Sequence, residues 1–398
     1  MADPSSPAAA SFGELSNSLD AVLPGIRERA ARYDRDNAFF HEDLEELRRI
    51  GFLRATVPVD FGGLGLSVPE FARLQSRLAT HAPSTALALN MHQYWVGTAL
   101  HLRRLGDAGA DWILQEAGAG RLFAAGHGEP GNDLGLAHSL VEARPTGDGG
   151  YRFHGRKVLT SLSPAWDWLG VHGLDASDPA HPRIVHAFIG RAGQGHRSVA
   201  TWDALGLRAT RSDDTFLEGA EARPEHVIRV LPSGPVPDAF VDGILGAVLP
   251  GLAAVYLGIG RRALELALAS ATQRTSLLLE GKSQAHKPLV QHDTARAVIR
   301  LEAADALVAS VVDSWWGDDF PRDGSALPRL LAAKQNAVEG AQEIVDLAQR
   351  IVGASSLARS HELERLYRDV RAGAFHPPNT ESTLELIGKH HLGLLAVA

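Results

Sequence analysis

Asp148-Gly149-Gly150-Tyr151-Arg152-Phe153-His154 is the stretch whose reading decides the fold. Asp-Gly-Gly favours the positive φ of a tight turn, and the residues after it alternate apolar and polar, the period of a half-buried strand. A second strand is read at Arg183-Ile184-Val185-His186-Ala187-Phe188-Ile189, a short apolar run with β-branched residues. Gly, Pro and Asp punctuate such runs from about 126 to 235, which predicts a β module of ordinary domain size.

On both sides of this module the texture is helical. Upstream, Leu44, Leu47, Ile50 and Leu53 recur at helical spacing. Residues 57–67 are too rich in glycine for a helix, and Pro69-Glu70 marks the start of the next one. Downstream, helical runs cover about 240–273 and 289–316. Leu331, Val338, Val345 and Val352 then fall seven apart, with Ala341 and Ala348 between them, a core-facing seam that Gly353 ends. After Phe375-His376-Pro377-Pro378-Asn379 a last helix carries Leu384, Ile387 and Leu392. The expected order is a flexible tail (1–13), a helical domain (14–125), a β domain (126–235) and a helical bundle (236–398). The fold class is mainly α with a central β domain. Strands and helices do not alternate, and neither G-x-G-x-x-G after a strand nor G-x-x-x-x-G-K-[ST] occurs, which excludes a Rossmann sheet as the scaffold.

A chain of 398 residues can bury a large core without staples. Net charge is −8 and no basic stripe stands out, so nucleic acid is not an expected partner. The absence of cysteine removes disulfides, thiolate zinc sites, iron–sulfur clusters and cysteine nucleophiles. No apolar run reads as a membrane span, and the first residues lack a basic stretch followed by an apolar one, so a soluble cytoplasmic protein is expected. Adjacent His390 and His391 point to different helix faces and lack a third ligand, so no metal is expected.

Five segments, in order along almost the whole chain, resemble the acyl-CoA dehydrogenase family. Pro58-Val59-Asp60-Phe61-Gly62-Gly63-Leu64-Gly65 is similar to its P-x-x-x-G-G-x-G loop. Gly128-Glu129-Pro130-Gly131-Asn132-Asp133 resembles a shortened form of its T-E-P-x-x-G-S-D flavin loop. The run from Tyr151 to Ser161 resembles its Y-x-L-N-G-x-K-x-W-I-T hairpin. Leu205-Gly206-Leu207-Arg208-Ala209-Thr210 resembles G-x-R-x-S/T, and Leu363-Glu364-Arg365-Leu366-Tyr367-Arg368-Asp369 resembles E-R-x-x-R-D. The resemblance implies a helical N-terminal domain, a β-barrel middle domain and a C-terminal four-helix bundle, assembled as a tetramer or dimer. It also implies FAD between the β domain and the bundle, with the diphosphate reaching a neighbouring subunit. A flat ring with one hydrogen-bonding edge suits a cleft of backbone donors and acceptors. Carried over by position, Gly128 and Glu129 approach the ring and Ser161 lies near its reactive nitrogen. Arg274 holds the diphosphate across the subunit boundary, with Gly353 beside a neighbour's diphosphate.

The departures bear on the reaction. The family abstracts an α proton from an acyl thioester with a glutamate while the β hydrogen passes to flavin. That glutamate's usual place is here Pro377, and the nearest match to its second known location is Val248. Three explanations are open. His376 could be base or proton relay, an imidazole being suited to neutral pH; Glu381 or Glu385 could swing in, with Asp242 a looser candidate; or the chemistry is not desaturation. The third has a concrete form, because some relatives on this fold are two-component monooxygenases supplied with reduced flavin by a reductase. Those relatives often place a histidine where His376 stands, and polar or aromatic residues where Met91-His92-Gln93-Tyr94-Trp95 lies. The favoured expectation is FAD-dependent α,β-dehydrogenation of an acyl thioester. The rivals are a monooxygenase using FMN or reduced flavin and a flavin-free scaffold. His376 and His92 are the catalytic candidates, and Asn132 and Tyr94 the substrate-binding ones, with core packing the alternative for His92 and Tyr94. The expected partners are a small-molecule substrate, further copies of the chain, and a flavin reductase or electron-transfer flavoprotein. Trp166 and Trp168 are expected to pack the β module, and Glu364, Arg365, Arg368 and Asp369 to form an ion network between helices.

Overall fold

The computed structural model describes residues 12–317 and 326–394. Phe12 and Gly13, expected in the tail, open the first helix, and the rest of that tail lies outside the described residues. Five helices come first: α1 (Phe12–Asp36), α2 (His41–Arg49), α3 (Val68–Ala79), α4 (Pro83–Arg104) and α5 (Asp111–Gly118). The 57–67 segment is irregular apart from one short turn, Val59–Phe61. Ser67 closes it with a capping box, its Oγ accepting from Glu70 N while its own N–H donates to Glu70 Oε2 at 2.9 Å.

Eight strands follow: β1 (Phe123–Gly126), β2 (Glu142–Pro145), β3 (Tyr151–Thr160), β4 (Trp168–Asp175), β5 (Arg183–Gly190), β6 (His196–Val199), β7 (Asp213–Ala222) and β8 (Val227–Pro232). They form one sheet in the order β6-β7-β3-β2-β4-β5-β8, with β1 added parallel to β4. The Asp-Gly-Gly turn joins β2 to β3 as read, and Thr146 N donates to Gly150 O at 2.9 Å. Tyr151 and Phe153 are buried and Arg152 is exposed. The sheet begins at Phe123, slightly upstream of the boundary expected near 126, because β1 pairs with β4.

The C-terminal part comprises α6 (Ala239–Gln273), α7 (Pro288–Trp316), α8 (Ala326–Val352), α9 (Glu362–Val370) and α10 (Thr380–His391). α6 is apolar on nearly every face because α3, α4, α7 and α8 all pack against it. It is long and apolar enough to cross a membrane, yet 89% of its most apolar window is buried inside the protein. Pro250 interrupts its hydrogen bonding, since it has no N–H for the carbonyl of Gly246. Trp316 of α7 repairs this by donating its indole N–H to Gly246 O at 3.1 Å, and Asn90 of α4 donates to Val248 O at 3.2 Å. The α8 seam of Leu331, Val338, Val345 and Val352 is buried as read.

The 205–207 segment docks the β module on α9. A Cβ on Gly206 would stand 2.5 Å from the carbonyl carbon of Arg368, so only glycine allows the approach. Leu207 N donates to Asp369 Oδ1 at 2.6 Å. Arg368 bonds Glu364, both carboxylate oxygens of Asp34 on α1, and Leu205 O. The ion network read at 364–369 thus ties all three parts together through Arg368, while Arg365 pairs separately with Glu362 at 3.5 Å.

Candidate active site

The site is built on the end of β3. Its pairing with β7 shifts register between Lys157 and Thr160, where Leu159 takes φ +57°, and Leu162, just past the strand, takes φ +67°. Non-glycine residues rarely hold such angles, and they recur where backbone is bent for function. Leu159 is thrown out to solvent while Lys157 turns fully inward. Against this bend lies the 127–138 loop, pinned by Val158 N donating to Gly128 O at 2.9 Å. A Cβ on Gly128 would meet Val158 O at 2.5 Å, so the contact is backbone on backbone.

Glu129 and Asn132 both turn their side chains into the protein. The Glu129 carboxylate pairs with the Lys157 ammonium. Ser139 Oγ at 2.5 Å, Leu140 N at 2.7 Å and Asn132 Nδ2 at 3.0 Å complete its shell. Burial alone would raise this carboxyl, but Lys157 with the Leu140 and Ser139 donors outweighs burial and holds it below the usual range. Asn132 also donates to Gly135 O and His138 O and accepts from Leu134 N, so its amide is spent inside its own loop. Both residues organise the loop that presents Gly128.

Lys157 leads into a histidine cluster that the sequence reading missed. Its ammonium is pushed down to about 8 by burial, against the pull of Glu129. It donates to His172 Nδ1 at 3.2 Å, which leaves His172 Nε2 to donate to His138 O at 3.0 Å. His127 and His186 lie beside it, with ring centroids 5.0 and 5.7 Å from that of His172. His127 Nδ1 shares a hydrogen bond with Tyr94 OH at 2.8 Å, and Tyr94 is buried beside the residue that follows β1. His92, a catalytic candidate with packing as its other reading, lies inside the core. Its Nε2 donates to Leu53 O at 2.8 Å and its Nδ1 accepts from Phe123 N at 3.2 Å, so both nitrogens join backbone segments inside the core. The detectable signal was parity: Tyr151, Phe153 and Lys157 share one face of β3, so an inward lysine demanded a partner.

These buried neutral imidazoles make acid lability an expected property. Burial, the largest cause at each, holds His92 at about 4 and His186 at about 3, and His127 and His172 well below the ordinary value. In the unfolded chain each protonates near its ordinary value of about 6.5, so below that pH the unfolded state binds more protons. Stability then falls by about 1.4 kcal/mol per pH unit for each ring down to its folded value, and is insensitive to these rings above about pH 7. Circular dichroism should give an acid-unfolding midpoint of about pH 5. A fold fully intact at about pH 4 would contradict this assignment.

On the bundle side, a line of hydrogen bonds runs from the hairpin to Asp369 of α9. Ser161 Oγ bonds Ser212 Oγ at 2.8 Å, which bonds Thr210 Oγ1 at 2.8 Å, which donates to Leu207 O at 2.9 Å. Leu207 N is held by Asp369, and α9 continues through the 371–375 turn into His376. The His376 ring lies 5.8 Å from that of Tyr256, and its Nε2 is enclosed without a protein partner. Burial first, and then the Lys334 charge, bring the ring to about 4, so it is neutral at physiological pH. Neither of the two glutamates named from the sequence lies inward beside it. Glu381 is exposed, and Glu385 is exposed and paired with Lys389. Asp242 lies about 21 Å along α6 from Tyr256, at roughly 1.5 Å per residue.

Arg274 and Gly353 are brought together. Arg274 Nη1 donates to Val352 O at 2.6 Å and Ser355 Oγ at 3.2 Å. Gly353 ends α8 at φ +80° with no atom within 4 Å of where a Cβ would stand, an open cradle beside the guanidinium. Among the described residues no group of three or more His, Cys, Asp or Glu could hold a metal ion.

This architecture defines the class. The sequence profiles for the N-terminal and C-terminal domains of acyl-CoA dehydrogenase match residues 22–108 and 250–380, and the chain belongs to the acyl-CoA dehydrogenase family. It is an enzyme of that family. Among individual relatives, it is 30% identical over 99% of its length to the amino sugar nitrososynthase DnmZ of Streptomyces peucetius, covering 96% of that protein. It is 28% identical to YdbM of Bacillus subtilis (strain 168), provisionally named an acyl-CoA dehydrogenase, over 92% of this chain and 93% of the other. The solved structure of KijD3, in complex with FMN and dTDP-3-amino-2,3,6-trideoxy-4-keto-3-methyl-D-glucose, superimposes with a TM-score of 0.83 at 28% identity, covering 98% of this chain and 96% of that one.

Proposed function

We propose that this enzyme is a reduced-flavin-dependent monooxygenase that oxygenates the nitrogen of an amine-bearing small molecule. The observation that carries this reading is His376. An enclosed, neutral imidazole stands one residue before Pro377, and Pro377 and Val248 leave both usual positions of the α-proton base without a carboxylate. The nitrososynthase relative and the amino-sugar ligand of KijD3 support an amine over an acyl thioester.

The residues fit a flavin. The bent hairpin presents backbone polar groups, Thr160 Oγ1 is buried without a partner, and the Arg274–Gly353 cradle suits a phosphate. FMN and FAD both meet these features. When bound, reduced flavin supplies the two electrons and two protons with which one atom of dioxygen enters the substrate and the other leaves as water. The chain's own groups do the rest. Gly128 and the 158–161 backbone would hold the flavin ring, and the Ser161–Ser212–Thr210 hydroxyls orient one another. His376 Nε2 accepts the proton that the substrate nitrogen must lose once oxygen is bonded to it, which makes that nitrogen's proton far more acidic than an ordinary ammonium's. A separate reductase supplies the reduced flavin, and a second copy of the chain completes the phosphate cradle.

The test is to supply the purified protein with FMN, a flavin reductase, NADH and the amino sugar nucleotide bound in the KijD3 structure. A hydroxylamino or nitroso product that requires the reductase is expected. Bleaching of oxidised flavin by acyl thioesters without oxygen would overturn the proposal. Arg274→Ala should weaken flavin retention about tenfold, read by equilibrium dialysis, as expected when one charged hydrogen-bond donor is lost. Unchanged retention would return Arg274 to a helix-capping role.

A further inference from the structure

We propose that Lys334 is a positioning residue for His376: it clamps the 376–378 turn from α8 and holds a positive charge beside the ring. This rests on the reading of His376 as the group that handles the proton. Lys334 stands three residues after Leu331 and four before Val338, on the core face of α8, and is fully buried. Its ammonium donates to His376 O at 3.1 Å and Pro378 O at 2.8 Å. No carboxylate lies within 4.0 Å of it among the described residues. An ammonium taken out of water without a counterion is costly, and an apolar residue would serve the seam better. Its retention there is therefore assigned to the turn that it holds. Gln335, the next residue, bonds Thr380 Oγ1 of α10 at 3.1 Å, and Thr383 Oγ1 donates to Pro378 O at 3.1 Å, so the turn is held from both α8 and α10.

Charge adds to position. The titratable groups that face His376 are Lys334 from α8 and Tyr256 from α6, with the buried Asp369 of α9 acting on Tyr256. Burial is the larger influence on the ring and Lys334 the next, and both favour the neutral imidazole. Lys334, brought down to about 8 by burial, remains charged below that pH. Between about pH 5 and 8 the pair therefore consists of an ammonium and a free-base imidazole.

The experiment is a histidine NMR titration of the whole protein with FMN bound, using ring-labelled histidine and assigning His376 by the loss of its signal in His376→Gln. In the wild type the His376 ring should stay neutral down to the acid limit of the fold. In Lys334→Met the direction of change is upward, so the ring should begin to protonate while the protein is still folded, and Lys334→Arg should restore the wild-type behaviour. A ring that stays neutral to the same limit in Lys334→Met overturns the proposal. If that variant fails to fold, Lys334→Gln keeps a donor without the charge and must show the same upward shift. The outcome does not depend on the assigned reaction, whose failure would instead appear as full turnover in His376→Gln.

Discussion

Replacing Lys157 by methionine is expected to cost the fold about 3–5 kcal/mol, the usual result of removing one partner from a buried ion pair. The side chains of Lys157 and Glu129 are both fully buried. Without the ammonium, Glu129 keeps only the Leu140 N–H, the Ser139 hydroxyl and the Asn132 amide as donors. Either its carboxylate stays charged in the interior or it takes up a proton, and each raises the energy of the folded state. His172 loses its Nδ1 donor in the same step. Urea unfolding should show the loss as a lowered midpoint with an unchanged slope. The double variant Lys157→Met/Glu129→Gln should recover more than half of it, because no buried charge is then left alone. A single variant within about 1 kcal/mol of wild type would mean that water reaches the pair and that the loop is not anchored as described.

The second large effect is at His376. His376→Gln should lower turnover about a hundredfold, the ordinary contribution of a placed acid–base group, while flavin affinity stays within about twofold. Glutamine keeps a polar side chain of similar reach but cannot take the proton. Steady-state rates with saturating reduced flavin separate this from a structural loss, since the Lys334 clamp holds the backbone carbonyl of residue 376 and not its ring. Wild-type rates would assign His376 to packing against Tyr256 and remove the observation on which the proposed chemistry rests.

Much of the architecture was legible because it follows a period. The turn at 148–150, the alternation of β3 and the seven-residue seam of α8 all appear where they were read, and α6 spans Ala239–Gln273 against an expected 240–273. Side-chain direction in loops was not legible. Glu129 and Asn132 have no period to fix their aim, and the partners that turn them inward, Lys157 and His138, come from distant strands and loop ends. His92 and Tyr94 occupy a helix buried on several faces, so sequence alone did not say that they meet Leu53, Phe123 and His127. Lys157 and Lys334 were detectable, because each is a charge at a position whose neighbours in the pattern are buried. A charge on a core face requires a partner, and in both cases the partner lies in the candidate site.

The central claim is that the chemistry starts from reduced flavin. A dehydrogenase must hold the oxidised cofactor to receive a hydride, whereas a monooxygenase of this kind must capture the reduced one before oxygen does. Anaerobic titration of the flavin-free protein with dithionite-reduced FMN and with oxidised FMN, followed by equilibrium dialysis, compares the two directly. At least about tenfold tighter binding of the reduced form, roughly 1.4 kcal/mol, is predicted. Equal affinity, or tighter binding of the oxidised form, would contradict the account.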